Sequence, residues 1–252
     1  FKDTNSGALR KWHNEDVQKF IRHNRGFDKH GIFVLDQSHV VVPENEHYKD
    51  AVKMPVDEHG QLIDMSGMSD EQKKGVKYHS CYALSELLHI GKEDRSFVIS
   101  GYEWGPGNTD ELTQGVSLVD TFTESVGKGV MKLLIVDRGY IDAGFVKRVK
   151  KDLGSDVLIP LRKNMDMFLD SKRIAESFDY TWTRYYEHKV LDTVMYREDV
   201  TVVDEVRLWN TCDIPLYVSL MRVTESSGAQ RYWGLLSTFK PKDATEAFDL
   251  YK

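Results

Sequence analysis

Cysteine, proline and long apolar runs are all scarce in this sequence. Its 252 residues include two cysteines, Cys81 and Cys212, and six prolines. Two thiols with no Cys or His ligand partner at metal spacing exclude a disulfide scaffold and a zinc finger. They read as free thiols of a reducing compartment. No apolar stretch approaches the ~18–20 residues of a membrane span, and the longest, such as Val130–Val136, are strand-sized. The opening residues Phe1-Lys2-Asp3-Thr4-Asn5 hold neither the apolar core of a signal peptide nor an initiator Met. The expectation is a cytoplasmic chain without a membrane partner, cut from something longer. His39, His79, His89 and His188 fall in no HxH or HExxH spacing, and Gly101–Gly107 lacks GxGxxG and P-loop spacing. Zinc-protease and nucleotide-cradling chemistries are therefore not indicated.

A composition 40% hydrophobic and 29% charged suits a globular chain able to bury a substantial core. The net charge of −6 argues against indiscriminate nucleic-acid binding. That charge is unevenly spread. From Asp36 to Glu71 nine acidic residues meet two basic ones, which reads as a solvated excursion. From Arg138 to Arg173 nine basic residues meet five acidic ones, a stretch suited to tracking phosphates. For Lys147, Arg148, Lys150 and Lys151 a solvated helix face is the simpler reading.

Periodicity lays out the elements. Residues 1–30 form a helical lead-in, with Trp12, Val17, Phe20 and Ile21 on its apolar face. Gly31–Val42 reads as two tightly joined strands or one long bent strand. Val76–Leu88 and Ser96–Trp104 are further strands. Thr109 is placed to cap a helix with Leu112, Val116, Val119, Phe122 and Val126 at helical spacing. Lys132–Asp137 and Asp156–Leu161 are apolar on both faces, as a sheet covered by helices requires. Between them Asp142 caps a helix with Phe145, Val146, Val149 and Leu153 inward, ended by Gly154. The unit is strand, helix, strand, and the class is α/β. Beyond Asp170 the pattern turns β-rich: Val190–Val194, Val200–Leu208, Leu216–Val223 and Tyr232–Leu236 favour strands, the last two joined through Glu225-Ser226-Ser227-Gly228. A final helix starts at Pro241-Lys242-Asp243.

Asp36 and Asp137 each close an apolar strand. Side chains converge on ligands at strand ends of α/β sheets, and carboxylates are the donors a hard divalent cation prefers. An Asp is also common where any strand gives way to a turn. The surroundings of Asp137 add to the first reading. Val136-Asp137-Arg138-Gly139-Tyr140-Ile141, then a helix, then Leu158-Ile159-Pro160-Leu161-Arg162-Lys163-Asn164, resembles the second-aspartate block of DDE transposases. The similarity is to the bacterial insertion-sequence type whose third block is a Tyr-Arg-Glu-Lys signature. Leu35-Asp36-Gln37-Ser38 resembles the first-aspartate block, and Gly105–Glu111 resembles the Gly-Asn-x-x-Glu turn before the intervening helix.

That resemblance implies an RNase H-like mixed sheet flanked by helices, with a β-rich insertion before the last catalytic helix. The implied layout is residues 1–30 as lead-in, 31–169 as the first part of the core, 170–236 as insertion and 237–252 as the return to the core. It implies Asp36 and Asp137 as catalytic ligands of two Mg²⁺ or Mn²⁺ ions, acting in DNA cleavage and strand transfer. The third acid is expected beyond Lys252, on the helix of Tyr251, so this stretch alone is expected to be inactive. Arg138, Arg162 and Lys163 are candidate DNA contacts. Partners would be double-stranded DNA, as transposon ends and target, and further copies of the chain as a dimer or larger oligomer, nucleoid-associated when bound. Trp182, Trp209 and Trp233 could stack on a base or simply pack a sheet. Two rivals stay open: a non-catalytic DNA- or protein-binding relic, and an RNase H-like nuclease that does not transpose.

Overall fold

Side chains on a strand point alternately to its two faces, and β3 (His79–Ile90) keeps to that rule. Cys81, Ala83, Ser85, Leu87 and His89 are buried, and the residues between them are partly exposed. The alternation is blurred in the sequence because two inward positions, Ser85 and His89, are polar while Leu84 and Leu88 face the other way. The computed structural model describes residues 6–44, 48–57, 59, 61–91, 97–191, 193–204, 206 and 209–252. They fall into two compact units, Phe1–Val130 and Met131–Lys252. Among the described residues no helix is long and apolar enough to cross a membrane.

In the first unit, β1 (Ile32–Val41) and β4 (Phe97–Pro106) run antiparallel along opposite sides of β3, and the short β2 (Val52–Met54) pairs with its first residues. β1 is thus one continuous strand. Within the acidic excursion, α3 (Asp70–Lys74) opens on a reciprocal cap between Ser69 and Gln72. Residues 45–47, 58 and 60 of that excursion lie outside the described set, as does Ser96 of the predicted strand before Trp104.

α4 (Glu111–Val126) covers this sheet and buries Leu118, Val119, Phe122 and Val126. Phe122 meets Phe33 of β1 at 4.9 Å between ring centroids. Two details differ from expectation. The cap is Asp110, whose carboxylate accepts the Thr113 N–H, while the Thr109 hydroxyl donates back to the Pro106 carbonyl. Leu112 and Val116 stay half-exposed because Gln114 and Gly115 occupy the inward positions of the first turns.

The lead-in comprises α1 (Ser6–Lys11), a π-helical stretch Trp12–Val17 and α2 (Gln18–His23). Its inward face is not the apolar one. Trp12 and Phe20 are 54% and 68% exposed, whereas Asn14 and Gln18 are buried. Asn14 explains this: its amide donates to the Tyr102 carbonyl and its oxygen accepts the Tyr102 N–H, pairing β4 as a neighbouring strand would.

In the second unit, β5 (Leu133–Val136) and β6 (Asp156–Pro160) are parallel, and β10 (Gln230–Ser237) runs antiparallel to β6. β9 (Tyr217–Glu225), β8 (Thr193–Val203) and β7 (Thr183–Val190) extend the sheet as an antiparallel meander. This mixed sheet is flanked by helices, as the fold class anticipated. Asp142 caps α5 (Ala143–Lys147), which continues as a π-helical turn to Leu153 and ends on a left-handed Gly154.

The turn from Glu225 to Gly228 joins β9 to β10 as predicted. Val190–Val194, in contrast, is not one strand: Val190 ends β7, Thr193 and Val194 begin β8, and Leu191 between them has φ +47°. β8 ends at Val203, and residues 205, 207 and 208 of the predicted Val200–Leu208 strand are outside the described set. α6 (Asp166–Ser177) escaped the sequence reading because its buried face is short, Met167, Phe168 and Ala175 with the polar Ser171 among them. α7 (Glu246–Tyr251) starts later than expected, since the Asp243 carboxylate first accepts the N–H groups of Thr245 and Glu246 in a turn.

Candidate active site

In the first unit the site is built around Asp36. The apolar run ends at Asp36 but the strand does not, so Asp36 sits in the middle of β1 rather than at its end. Its Oδ1 accepts the N–H of Gln37 at 2.9 Å. A carboxylate oxygen of Asp36 and one of Glu111 lie within 4.8 Å of one another. Across the β1–β3 ladder, Asp36 is in register with a further acid, Glu86. Like charges on facing strand positions repel, a cost that a bound cation would offset. Glu111 was not singled out from sequence as a ligand. The signal was its place in the Gly-Asn-x-x-Glu phrase, and only the fold brings that turn to Asp36.

In the second unit the parallel pairing of β5 and β6 sends both strand ends the same way. Asp137 directly follows β5 and caps a single 3₁₀ turn, its Oδ1 accepting the Gly139 N–H at 2.6 Å. Tyr140 of the same phrase is fully buried and packs on Phe145 at 5.3 Å, so it anchors the turn as a core residue. Arg162 follows β6 and donates from Nη2 to the Arg138 carbonyl at 3.0 Å. Asp137, Arg138 and Arg162 are thus gathered on one edge, with Lys163 exposed beside Arg162.

The remaining predicted residues divide by contact. Lys150 pairs with Asp156 and Lys151 with Asp213, as a solvated helix face would. Trp182 stacks under the Arg222 guanidinium at 4.3 Å, and Trp233 packs edge-on against Phe248 of α7 at 5.0 Å. Trp209 lines a cavity of about 450 Å³ with Cys212, Pro215 and Leu216. Burial pushes the Cys212 thiol up, so it is no ready nucleophile. Glu246, on the helix of Tyr251, turns back to accept the Lys242 N–H and to pair with its ammonium. Its carboxylate is thus occupied by the turn that precedes the helix.

The donor chemistry fits a hard divalent cation. Asp36 and Glu111 offer carboxylate oxygens at a spacing one ion can bridge. The sheet and its flanking helices define an RNase H-like α/β fold. The profile of the family described as Transposase DDE domain matches residues 28–226, and the chain belongs to that family. The family is one of enzymes that cleave and transfer DNA. Among curated proteins, none matches the chain.

Proposed function

We propose that the chain is the catalytic domain of a transposase of the bacterial insertion-sequence type, acting on double-stranded DNA at transposon ends and target. Asp36 and Asp137 are its metal ligands for Mg²⁺ or Mn²⁺, and Glu111 adds a carboxylate beside Asp36. The third acid of the family's set belongs to the continuation of the Tyr251 helix. Residues 170–236 are the insertion, and the chain works on DNA as a dimer or larger assembly. The observation that carries this reading is the family match over 28–226, which spans the Asp36, Glu111 and Asp137 phrases in order.

Bound divalent ions supply the activation of water or a 3′-hydroxyl and the charge that offsets the leaving oxygen. The chain's own residues hold and orient. Gly139 N–H fixes one Asp137 oxygen, so the carboxylate is presented in one orientation without rotamer search. The Arg162 guanidinium, steadied on the Arg138 carbonyl, is placed to meet a phosphate next to Asp137. Arg138 and Lys163 extend that positive edge along the backbone.

The test uses the full-length protein from its gene, with linear DNA bearing the terminal repeats of the element, in Mg²⁺. Cleaved ends and joined products are expected, and Asp36→Asn and Asp137→Asn should each abolish both. Binding without cleavage identifies a relic. Nicking without joining identifies a nuclease. Cleavage that survives Asp137→Asn overturns the assignment of the site.

A further inference from the structure

Gln114 lies on α4 one turn beyond Glu111 and is 4% exposed. Its Oε1 accepts two hydrogen bonds, from Ser85 Oγ at 2.7 Å and from Gln37 Nε2 at 2.8 Å. Ser85 is fully buried on β3. The Gln37 amide also reaches Ser85 Oγ at 3.3 Å. Gln37 is the residue whose backbone N–H holds Asp36 Oδ1. A continuous set of hydrogen bonds therefore runs from the first turns of α4, through Gln37, to the carboxylate of Asp36. Two residues along β1, His39 Nε2 stands 2.9 Å from the Gly107 carbonyl, so the same strand face also grips the turn that launches α4.

Packing alone does not call for an amide here. The inward positions further along α4 are Leu118, Val119 and Phe122, and an apolar side chain at 114 would bury as well. A buried amide is costly to leave unmatched, and in a closed network each bond restricts the others. The arrangement that satisfies Gln114 is the one in which Gln37 and the start of α4 are locked together.

We propose that Gln114 is a positioning residue for the metal site: through Gln37 it sets the Asp36 carboxylate against Glu111. This rests on the reading of Asp36 as a metal ligand. Partners that orient ligating carboxylates typically carry ~10–100-fold in metal affinity. Gln114→Met keeps length and removes the acceptor. Gln114→Glu keeps an acceptor for both Ser85 and Gln37. Gln37→Met cuts the same network from its partly exposed end.

The experiment titrates Mn²⁺ into the full-length protein without DNA, reading free Mn²⁺ by electron paramagnetic resonance, with thermal melts to confirm folding. Gln114→Met and Gln37→Met should each weaken Mn²⁺ binding by about tenfold, and Gln114→Glu should restore most of it. If Gln114→Met fails to fold, Gln37→Met decides by the same criterion. A folded Gln114→Met with wild-type Mn²⁺ affinity overturns the inference while Asp36→Asn still loses binding. So does Gln114→Glu binding as poorly as Gln114→Met, which would mark a purely structural role. Mn²⁺ affinity unchanged by Asp36→Asn overturns the metal reading itself.

Discussion

His89 occupies a core position because its Nε2 accepts the Asp28 N–H at 3.0 Å while its ring packs on Phe33 and Phe27. The acceptor role requires the neutral ring. Burial pushes its pKa below the ordinary 6.5, and the nearby Asp28 carboxylate opposes that only in part. As pH falls, the unfolded chain takes up this proton first. The stability that neutral His89 contributes is full above about 6.5 and is lost as pH falls through the folded-state value. Melts at pH 7.5 and 5.5 should show a smaller acid loss in His89→Gln than in the wild type. Gly107 is the other residue-scale constraint. A Cβ there would stand 2.8 Å from both the carbonyl oxygen and the sulfur of Cys81. Gly107→Ala should cost about 1–3 kcal/mol in urea unfolding, as overpacked sites do. Neither constraint is readable from sequence: His89 looked like one more scattered histidine, and Gly107 like an ordinary turn glycine.

Among the elements, the strand–helix–strand of the second unit matched its sequence pattern most closely. β5, α5 with its π-helical extension, and β6 are local, and each boundary has a local cause. Asp142 accepts the Phe145 N–H at 2.8 Å, and Gly154 closes the helix at φ +76°. Asp142→Ala should lower stability by about 1 kcal/mol as a lost N-cap. Gly154→Ala, which puts a Cβ into left-handed backbone, should cost a similar ~1 kcal/mol. Both are measurable by chemical denaturation. Elements whose inner faces are polar were the ones misread. Asn14 and Gln18 in the lead-in and Gln114 on α4 sit inward for their hydrogen bonds, Ser171 on α6 is buried as well, and periodicity of apolar residues is blind to all of them. The expected Val190–Val194 strand failed for the opposite reason: β-favouring residues flank Leu191, where β7 gives way to the antiparallel β8.

At the scale of the whole molecule, the charge is partitioned. Residues 1–130 hold 21 acidic and 15 basic side chains, whereas residues 131–252 hold 19 of each. The whole net charge of −6 thus resides in the unit that contains Asp36, Glu86 and Glu111. The unit with Arg138, Arg162 and Lys163 is neutral and better suited to meet a polyanion. Affinity for duplex DNA should fall with rising salt. Replacing both Arg162 and Lys163 by Ala should reduce the slope of log affinity against log salt by about 2, in a binding titration at several salt concentrations. The Asp137 phrase and its strand context were legible because they are contiguous: an apolar strand, an acid that caps its own turn, and a Tyr that anchors it. Sequence by itself determined the α/β class, the β5–β6 unit and the two candidate aspartates. Tertiary structure alone decided that Glu111 stands beside Asp36, that Asp36 lies within a strand, and that Gln37, Ser85 and Gln114 close on one another. Those three residues lie far apart along the chain, and each bond depends on strand register and helix placement that no local pattern encodes.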